Sequence, residues 1–228
     1  MQLATIALLA LTSPANDIKA PTVADCENAY SDVIVQNYEP PLQTLKLCAA
    51  NQKFDAVSRS RYHLGRAWAL QGLGRLNEAI AEMELSFALP NPPYRLQIVN
   101  YATMLRSAGR LEDSLKAIIE RGEAVDKAEG EGPSMMIQYH KGWTLQEMGR
   151  HREAIEAFTA GIPHQIDYPF VYLSRAASYS AINDRESAKA DMRKFSEYFT
   201  NDRRKYASAK ELSEYRKLLI DYGLTPSW

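Results

Sequence analysis

The chain has 228 residues, of which 46% are hydrophobic and 24% charged, a balance typical of a soluble globular protein of one or two domains. Its formal net charge of −1 excludes an overall basic field that would attract nucleic acid or an anionic membrane, so we expect no nucleic-acid partner. No apolar stretch approaches the roughly 18–20 residues that a transmembrane helix needs, and we expect no stable membrane span in the mature chain.

Residues 1–15 are predicted to be a signal peptide. The nine-residue apolar run Leu3–Leu11 is about as long as a signal-peptide core and too short to span a membrane. Ser13 and Ala15 place small residues at the −3 and −1 positions of a cleavage site after Ala15. No Lys or Arg precedes the apolar run, and a frayed helix or a packed N-terminal segment is the alternative interpretation. Cleavage predicts a periplasmic or secreted bacterial protein, and an uncleaved leader predicts a cytoplasmic one.

Residues 16–54 are predicted to form a helical hairpin, a degenerate repeat whose two helices meet near residues 37–40. Cys26 and Cys48 are equally distant from residue 37, and residues equidistant from the turn of an antiparallel hairpin face each other. Packed helices can bring such Cα atoms within disulfide range. We therefore predict a Cys26–Cys48 disulfide, which agrees with an oxidising compartment. Two buried free thiols are the alternative.

Residues 55–200 contain one short sequence motif that occurs four times. It reads GRLNEAIAEM from Gly74, GRLEDSLKAI from Gly109, GRHREAIEAF from Gly149 and, more weakly, NDRESAKADM from Asn183. The intervals between these anchors are 35, 40 and 34 residues. Periods of this length are typical of proteins built from stacked repeat units.

Each repeat unit is predicted to be a helix, a turn and a second helix. Apolar residues on both sides of the turn recur at offsets of three and four, which places them on one helix face. Gly or Asn at the turn can adopt a positive φ and end the first helix. Small residues in both helices let the two backbones approach closely. In chain order they are Gly65, Ala79, Ala102, Ser114, Gly142, Ala154, Ala176 and Ala188.

This pattern resembles the tetratricopeptide repeat family over residues 55–200. The positions that fit the family's motif are large apolar or aromatic residues at fixed distances from the small ones. They are Leu64, Gly65, Trp68, Ala79, Met83, Ser86 and Pro90; Ile98, Tyr101, Ala102, Leu105, Ser114 and Ile118; Gly142, Leu145, Ala154 and Phe158; and Tyr172, Ala176, Tyr179, Ala188 and Met192. The resemblance implies an all-α, right-handed helical solenoid of about four units.

The sequence departs from the family's pattern at three places, and each departure predicts a local feature of the structure. The first unit is expected to carry two extra residues around Gly72 and Leu73. The surplus in the interval of 40 residues is expected to form a loop over residues 126–134. Lys141 and Arg175 occupy positions that are usually apolar, and their stems are expected to pack while their charges reach solvent.

Residues 201–228 are predicted to form a C-terminal capping helix, because the last repeat of a solenoid must cover its exposed apolar face. Thr200 to Asp202 offer side-chain oxygens for a helix N-terminus. Gly223 and Pro226 end the helix. Its apolar stripe consists of Leu212, Tyr215, Leu218, Leu219 and Tyr222.

No motif of catalysis or metal binding is present in the sequence, including H-E-x-x-H, C-x-x-C, G-x-S-x-G and the Walker loop. The stretch GLGRLN from Gly72 is explained by a turn between two helices. The four histidines at positions 63, 140, 151 and 164 have no carboxylate at ligand spacing. We therefore expect no enzyme activity, cofactor or metal, and an enzyme on a helical-repeat scaffold remains the minor alternative.

In solenoids of this family the first helices line a concave groove, which the resemblance implies as the binding face. Aromatic residues and Arg are the types that carry most binding energy at interfaces. Three arginines towards one end and aromatics towards the other suggest a peptide with an acidic end and an apolar body. The predicted lining residues are Arg59, Tyr62, His63, Arg66, Asn100, Thr103, Arg106, Met136, Tyr139, His140, Trp143, Phe170 and Leu173.

The leading hypothesis is therefore an exported, non-enzymatic scaffold that binds a peptide or protein partner in the groove. One alternative is a structural subunit of an envelope complex, held through its outer surface or its termini with the groove unused. Tyr and Trp that merely pack between repeats would favour this alternative. Neither the partner nor the oligomeric state is predicted by the sequence.

Overall fold

The computed structural model describes residues 20–130 and 132–226, so the predicted signal peptide lies outside the described residues. Within these ranges the chain is helical and contains no β-strand. A π-helical segment, Ile118–Gly122, joins α6 to α7, and a 3-10 turn, Ile162–His164, follows α9. The α-helices are α1 Val23–Ile34, α2 Pro41–Ala50, α3 Ala56–Gly72, α4 Leu76–Phe87, α5 Arg95–Ser107, α6 Leu111–Ala117, α7 Glu123–Glu129, α8 Met135–Glu147, α9 His151–Gly161, α10 Pro169–Ala181, α11 Arg185–Tyr198, α12 Asn201–Arg204 and α13 Ala209–Asp221.

The helices pair as successive antiparallel hairpins, which confirms the predicted all-α solenoid. The pairs are α1 with α2, α3 with α4, α5 with α6, α8 with α9, and α10 with α11, and neighbouring hairpins pack on each other. In the described part of the chain, every helix falls short of the length and apolar character that a membrane span requires.

The four turns share one geometry. Gly74, Gly109, Gly149 and Asn183 have φ between +64° and +75°, and each first helix ends two residues earlier. The amide of the following residue donates to a carbonyl five positions back, as from Arg75 to Leu70 at 2.8 Å. This left-handed turn satisfies carbonyls that the helix end would otherwise leave without partners.

The shared turn corrects the predicted register of the first unit. Because α3 continues through Gly72 and ends at the usual distance from Gly74, no residues are inserted around Gly72 and Leu73. Instead α3 begins earlier and has 17 residues, whereas α5, α8 and α10 have 13. Ala67 therefore occupies the small position of this unit. Gly65 and Ala67 are both small, so residue type alone did not show which of them occupies this position.

The extra residues in the 40-residue interval between Gly109 and Gly149 also lie in a different place from the predicted loop. The second helix of unit two continues from Leu111 through the π segment to Glu129, so residues 126–129 are helical rather than part of a loop. Asp126 is buried, accepts the Ser134 amide at 2.8 Å and pairs with Arg95 Nε at 2.6 Å. These tertiary contacts satisfy the buried Asp126 carboxylate and hold this stretch in its helical form.

The core consists of two large apolar clusters and a smaller one between them. The N-terminal cluster spans α1 to α6, and the C-terminal cluster joins Leu115 of α6 to residues of α8 to α13. Ile98, Ile118 and Ile137 are fully buried in the bridging cluster. The predicted disulfide joins Cys26 and Cys48 within the N-terminal cluster, with Cα atoms 5.9 Å apart.

Candidate interaction groove

One face of α5, α8 and α10 is formed by residues at the same distances from their turns. Residues 13, 10 and 6 positions before each turn residue lie on one helix face, and we call this set the inner face. Its members are Leu96, Val99 and Thr103 on α5, Met136, Tyr139 and Trp143 on α8, and Phe170, Leu173 and Ala177 on α10.

A cavity of about 230 Å³ opens between α5 and α8 on the inner face. It is smaller than the roughly 300–1,000 Å³ typical of small-molecule pockets, and its size suits one large side chain. Its lining consists of Leu96, Val99, Met135, Met136, Tyr139, His140, Gln165 and Tyr168. None of these residues carries a charge near neutral pH, because burial and the nearby Arg106 lower the pKa of His140 to about 4.

Aromatic rings hold the wall of the cavity in place. The Tyr139 ring meets the Tyr168 ring edge to face at 5.2 Å and lies 5.8 Å from the Trp143 ring. Burial raises the pKa of Tyr139 and of Tyr168, so both hydroxyls stay protonated at neutral pH. The cavity therefore offers an apolar interior with neutral polar groups at its edge.

Arg106 and Trp143 form a second feature beside the cavity. The Arg106 guanidinium lies 4.2 Å from the centre of the Trp143 ring, and its Nε lies 3.7 Å from Glu147 Oε1. Arg106 is buried, whereas Trp143 keeps 37% of its surface exposed. An exposed indole held by a stacked guanidinium is a rigid apolar platform of the kind that anchors partners.

Two predicted groove residues of the first unit lie elsewhere in the structure. Arg59 Nε donates to the Ala49 carbonyl at 2.9 Å, at the end of α2. Tyr62 is only 3% exposed and donates its hydroxyl to Glu27 at 3.1 Å. Both side chains form hydrogen bonds to the N-terminal hairpin.

His63 and Arg66 also turn away from the inner face. His63 Nδ1 lies 2.8 Å from a Glu82 oxygen on α4, and Arg66 pairs with the other oxygen of the same carboxylate. The physical reason is the register of α3, since counting back from Gly74 places Arg61, Leu64 and Trp68 at the inner positions. Aligning the first unit with the others by its turn residue, Gly74, would have predicted these inner positions from the sequence.

The structure brings together the predicted residues of the later units. Arg106, His140 and Trp143 contact one another, with His140 Nδ1 3.4 Å from Arg106. Phe170 reaches the same region through Tyr168, at 5.7 Å between ring centres. Asn100 lies beside the inner face and donates to the Leu96 carbonyl at 2.7 Å.

Five cavity residues, Leu96, Val99, Met135, Gln165 and Tyr168, were missed by the sequence reasoning. Leu96 and Val99 are the inner positions of α5 when the helix is counted from Gly109. Gln165 and Tyr168 belong to the connection before α10, which carries no repeat signal. Among the described residues, no group of three or more His, Cys, Asp and Glu side chains could hold a metal ion.

Comparison with known proteins identifies the repeat directly in one unit. The tetratricopeptide repeat family profile matches residues 137–162, which run from α8 through α9. No curated protein matches the sequence.

Solved structures of MamA, a tetratricopeptide-repeat protein, share the architecture. One superposes with a TM-score of 0.62 at 16% identity and covers 82% of this chain and 95% of MamA. MamA of AMB-1 gives 0.58 at 19% identity over 77% of this chain and 98% of its own, and MamA of MSR-1 gives 0.57 at 18% over 77% and 95%. At such identities the likeness shows the fold alone. The chain thus contains a tetratricopeptide repeat at residues 137–162 and folds as a tetratricopeptide-repeat solenoid.

Proposed function

We propose that this protein is a non-enzymatic scaffold that holds a segment of another polypeptide on its inner face. The helical-repeat fold supports a role in protein interaction, since stacked hairpins present extended binding surfaces. The observation that carries the proposal is the uncharged cavity beside the exposed Trp143 platform. A partner would insert one large apolar side chain into the cavity and lay its backbone across Trp143.

The acidic end predicted for the bound peptide loses its support in the structure. Arg59 bonds to a carbonyl, Arg66 pairs with Glu82, and Arg106 has Glu147 nearby. Of these three arginines, only Arg106 lies beside the cavity, and the carboxylate of Glu147 partly neutralises its charge. We therefore favour an apolar peptide segment rather than one with an acidic end.

Co-purification from the native cell tests this proposal. Met136→Glu puts a charge at the cavity, and Trp143→Ala removes the platform; both residues are exposed enough for the fold to persist. We expect the double variant to lose at least tenfold of the partner captured by wild type, as measured by mass spectrometry. Ile220→Glu, an exposed apolar position on α13, is the matched control. Full capture by the double variant would favour a structural subunit held through the outer surface.

We also propose that the protein is exported. The apolar run Leu3–Leu11 and the Cys26–Cys48 disulfide support this location. N-terminal sequencing of protein from native cells is expected to begin at Asn16, and thiol titration is expected to find no free thiol. An intact Met1 together with two free thiols would contradict export.

A further inference from the structure

A second groove lies on the side of α8 opposite to the inner face. Two adjoining cavities of about 350 and 340 Å³ share the lining residues Leu115, Ile119 and Arg150. Gln138, Lys141 and Leu145 of α8 form the floor, α6 with the π segment forms one wall, and α9 forms the other. We call this the outer groove. Tyr139 and Lys141 are two positions apart, about 200° around the helix, so the two grooves do not share a surface.

Small side chains on α9 explain why the outer groove is open. Ala157 and Ala160 line it, eight and eleven positions after Gly149. The same positions hold Glu82 and Leu85 on α4, Ala117 and Glu120 in the second unit, and Asp191 and Lys194 on α11. Among the four units, the third has the smallest side chains at these two positions, which leaves the space open.

The π segment presents an apolar residue to this space. Ile118 is fully buried in the bridging cluster, while the adjacent Ile119 is 43% exposed at the groove. Gly122 closes the segment against Ile137, where an added Cβ would lie 2.9 Å from the Ile137 side chain. Single π turns inside helices are rare and occur often at functional sites. Within this segment one isoleucine lies in the core and the next lies at the groove.

The charges around the outer groove leave an acidic excess. Arg150 pairs with Glu153 at 2.5 Å, Lys141 with Glu123 at 2.5 Å, and Lys116 with Glu120 at 3.9 Å. Within residues 20–130 and 132–226, Glu112 and Glu156 form no ion pair. These two exposed carboxylates stand on opposite walls, so each edge of the groove offers one uncompensated negative charge.

We propose that the outer groove binds a basic amphipathic helix of another polypeptide. Leu115, which is 8% exposed, and Ile119, which is 43% exposed, are four positions apart on one wall, so Ile119 is the apolar side chain that a packed helix would contact. Lys or Arg on both flanks of that stripe would meet Glu112 and Glu156. The site differs from the inner face in both position and ligand chemistry, and it does not depend on the proposed inner-face function.

A synthetic peptide tests the proposal on the full chain. The probe is a fluorescein-labelled 14-residue helix with Leu at an i, i+3, i+4, i+7 spacing and Lys on both flanks. We expect saturable binding by fluorescence anisotropy, at least tenfold tighter than that of the same peptide with Glu in place of Lys. Binding is expected to weaken about tenfold in the double variant Glu112→Lys/Glu156→Lys. The separate variant Ile119→Asp is expected to weaken it by a similar factor.

Two controls keep the outcome decisive. Glu186→Lys/Glu214→Lys makes the same change of net charge at exposed positions on α11 and α13 and is expected to leave the affinity unchanged. Trp143→Ala on the inner face is also expected to leave it unchanged. Absence of binding, equal binding of the Lys and Glu peptides, or an equal loss in the control pair would each overturn the proposal. Loss in Trp143→Ala alone would assign the peptide to the inner face and overturn it as well.

Discussion

Arg175 and Asp191 show how this fold treats charge at a position that is usually apolar. Two hydrogen bonds of 2.7 and 2.8 Å join the guanidinium to the carboxylate, and the side chains are 14% and 6% exposed. The expectation that Arg175 reaches solvent was therefore wrong. Arg66 and Glu82 occupy the corresponding positions of the first unit. The same ion pair therefore links the first helix to the second in both units.

Asp191→Asn is expected to lower the free energy of unfolding by roughly 3 kcal/mol, because it leaves the Arg175 charge buried without a counter-ion. Chemical denaturation measures this loss. Glu78→Gln removes the partner of Arg75 in an exposed ion pair and is expected to cost much less, because solvent screens this pair. Equal losses in the two variants would contradict the buried-pair interpretation.

His140 makes the stability of the protein depend on pH. Burial first, and then the charge of Arg106, lowers its pKa to about 4, compared with an ordinary value of 6.5. Since the folded state binds fewer protons than the unfolded state between these values, the free energy of unfolding falls as pH falls through that window. Above about pH 6.5 this contribution is fully present, and below about pH 4 it is fully lost.

Acidification from pH 7 to pH 5 is therefore expected to remove about 2 kcal/mol of stability through His140. His140→Gln should reduce the pH dependence by about that amount. Urea denaturation of wild type and variant at both pH values isolates this residue, because the other three histidines are common to both proteins. An unchanged pH dependence in the variant would contradict the assignment.

At the scale of the element, the N-terminal hairpin combines a disulfide with an apolar core. Helices α1 and α2 each bury a cysteine completely, and Leu45 and Tyr30 pack against Gly65 on α3. An added Cβ at Gly65 would lie 2.7 Å from Tyr30, so this glycine permits the hairpin to approach the first repeat.

Cys26→Ser/Cys48→Ser is expected to lower the free energy of unfolding by about 3 kcal/mol, because the unfolded chain gains the freedom that the disulfide removes. Thermal unfolding with and without reductant provides the measurement. Wild type in reductant should approach the variant, and the variant should not respond to reductant. Identical stability of wild type in both conditions would contradict a stabilising bond.

The second helix of unit two is the element that sequence reasoning predicted least well. Its polar, Gly-rich end suggested a loop over residues 126–134, yet α7 extends to Glu129. Asp126 is held by Arg95 of α5 and by the Ser134 amide, and Arg121 lies 4.6 Å from the Phe87 ring centre. Contacts with other elements outweigh a local preference for a loop here.

At the scale of the whole molecule, the bridging cluster couples the two halves of the core. Ile98, Ile118 and Ile137 come from α5, the π segment and α8, and each is fully buried. In a solenoid, stability is approximately the sum of the units and their neighbouring interfaces. The interface between the second and third units therefore decides whether the chain unfolds as one cooperative body.

Ile137→Ala is expected to cost about 3 kcal/mol and to separate the unfolding of the two halves, because it opens a cavity at their shared interface. Urea denaturation followed by circular dichroism should show two transitions or a smaller m-value. A single transition with an unchanged m-value would contradict the proposed coupling.

Local sequence pattern determined the repeat, the hairpin pairing, the turns and the facing cysteines of this protein. These features depend on neighbours within about ten residues or on the symmetry of one hairpin, which helix periodicity and turn chemistry specify. The prediction of Arg106, Tyr139, His140 and Trp143 as groove residues rests on the same periodicity.

Only the tertiary structure decided the burial of Arg175, the extended second helix and both cavities. Each depends on what a distant element places opposite a given side chain, as Glu82 does for Arg66, or on what it leaves empty, as Ala157 does for Ile119. A repeat specifies which face of a helix is buried, but the partner across the interface decides whether that face is filled, paired or open.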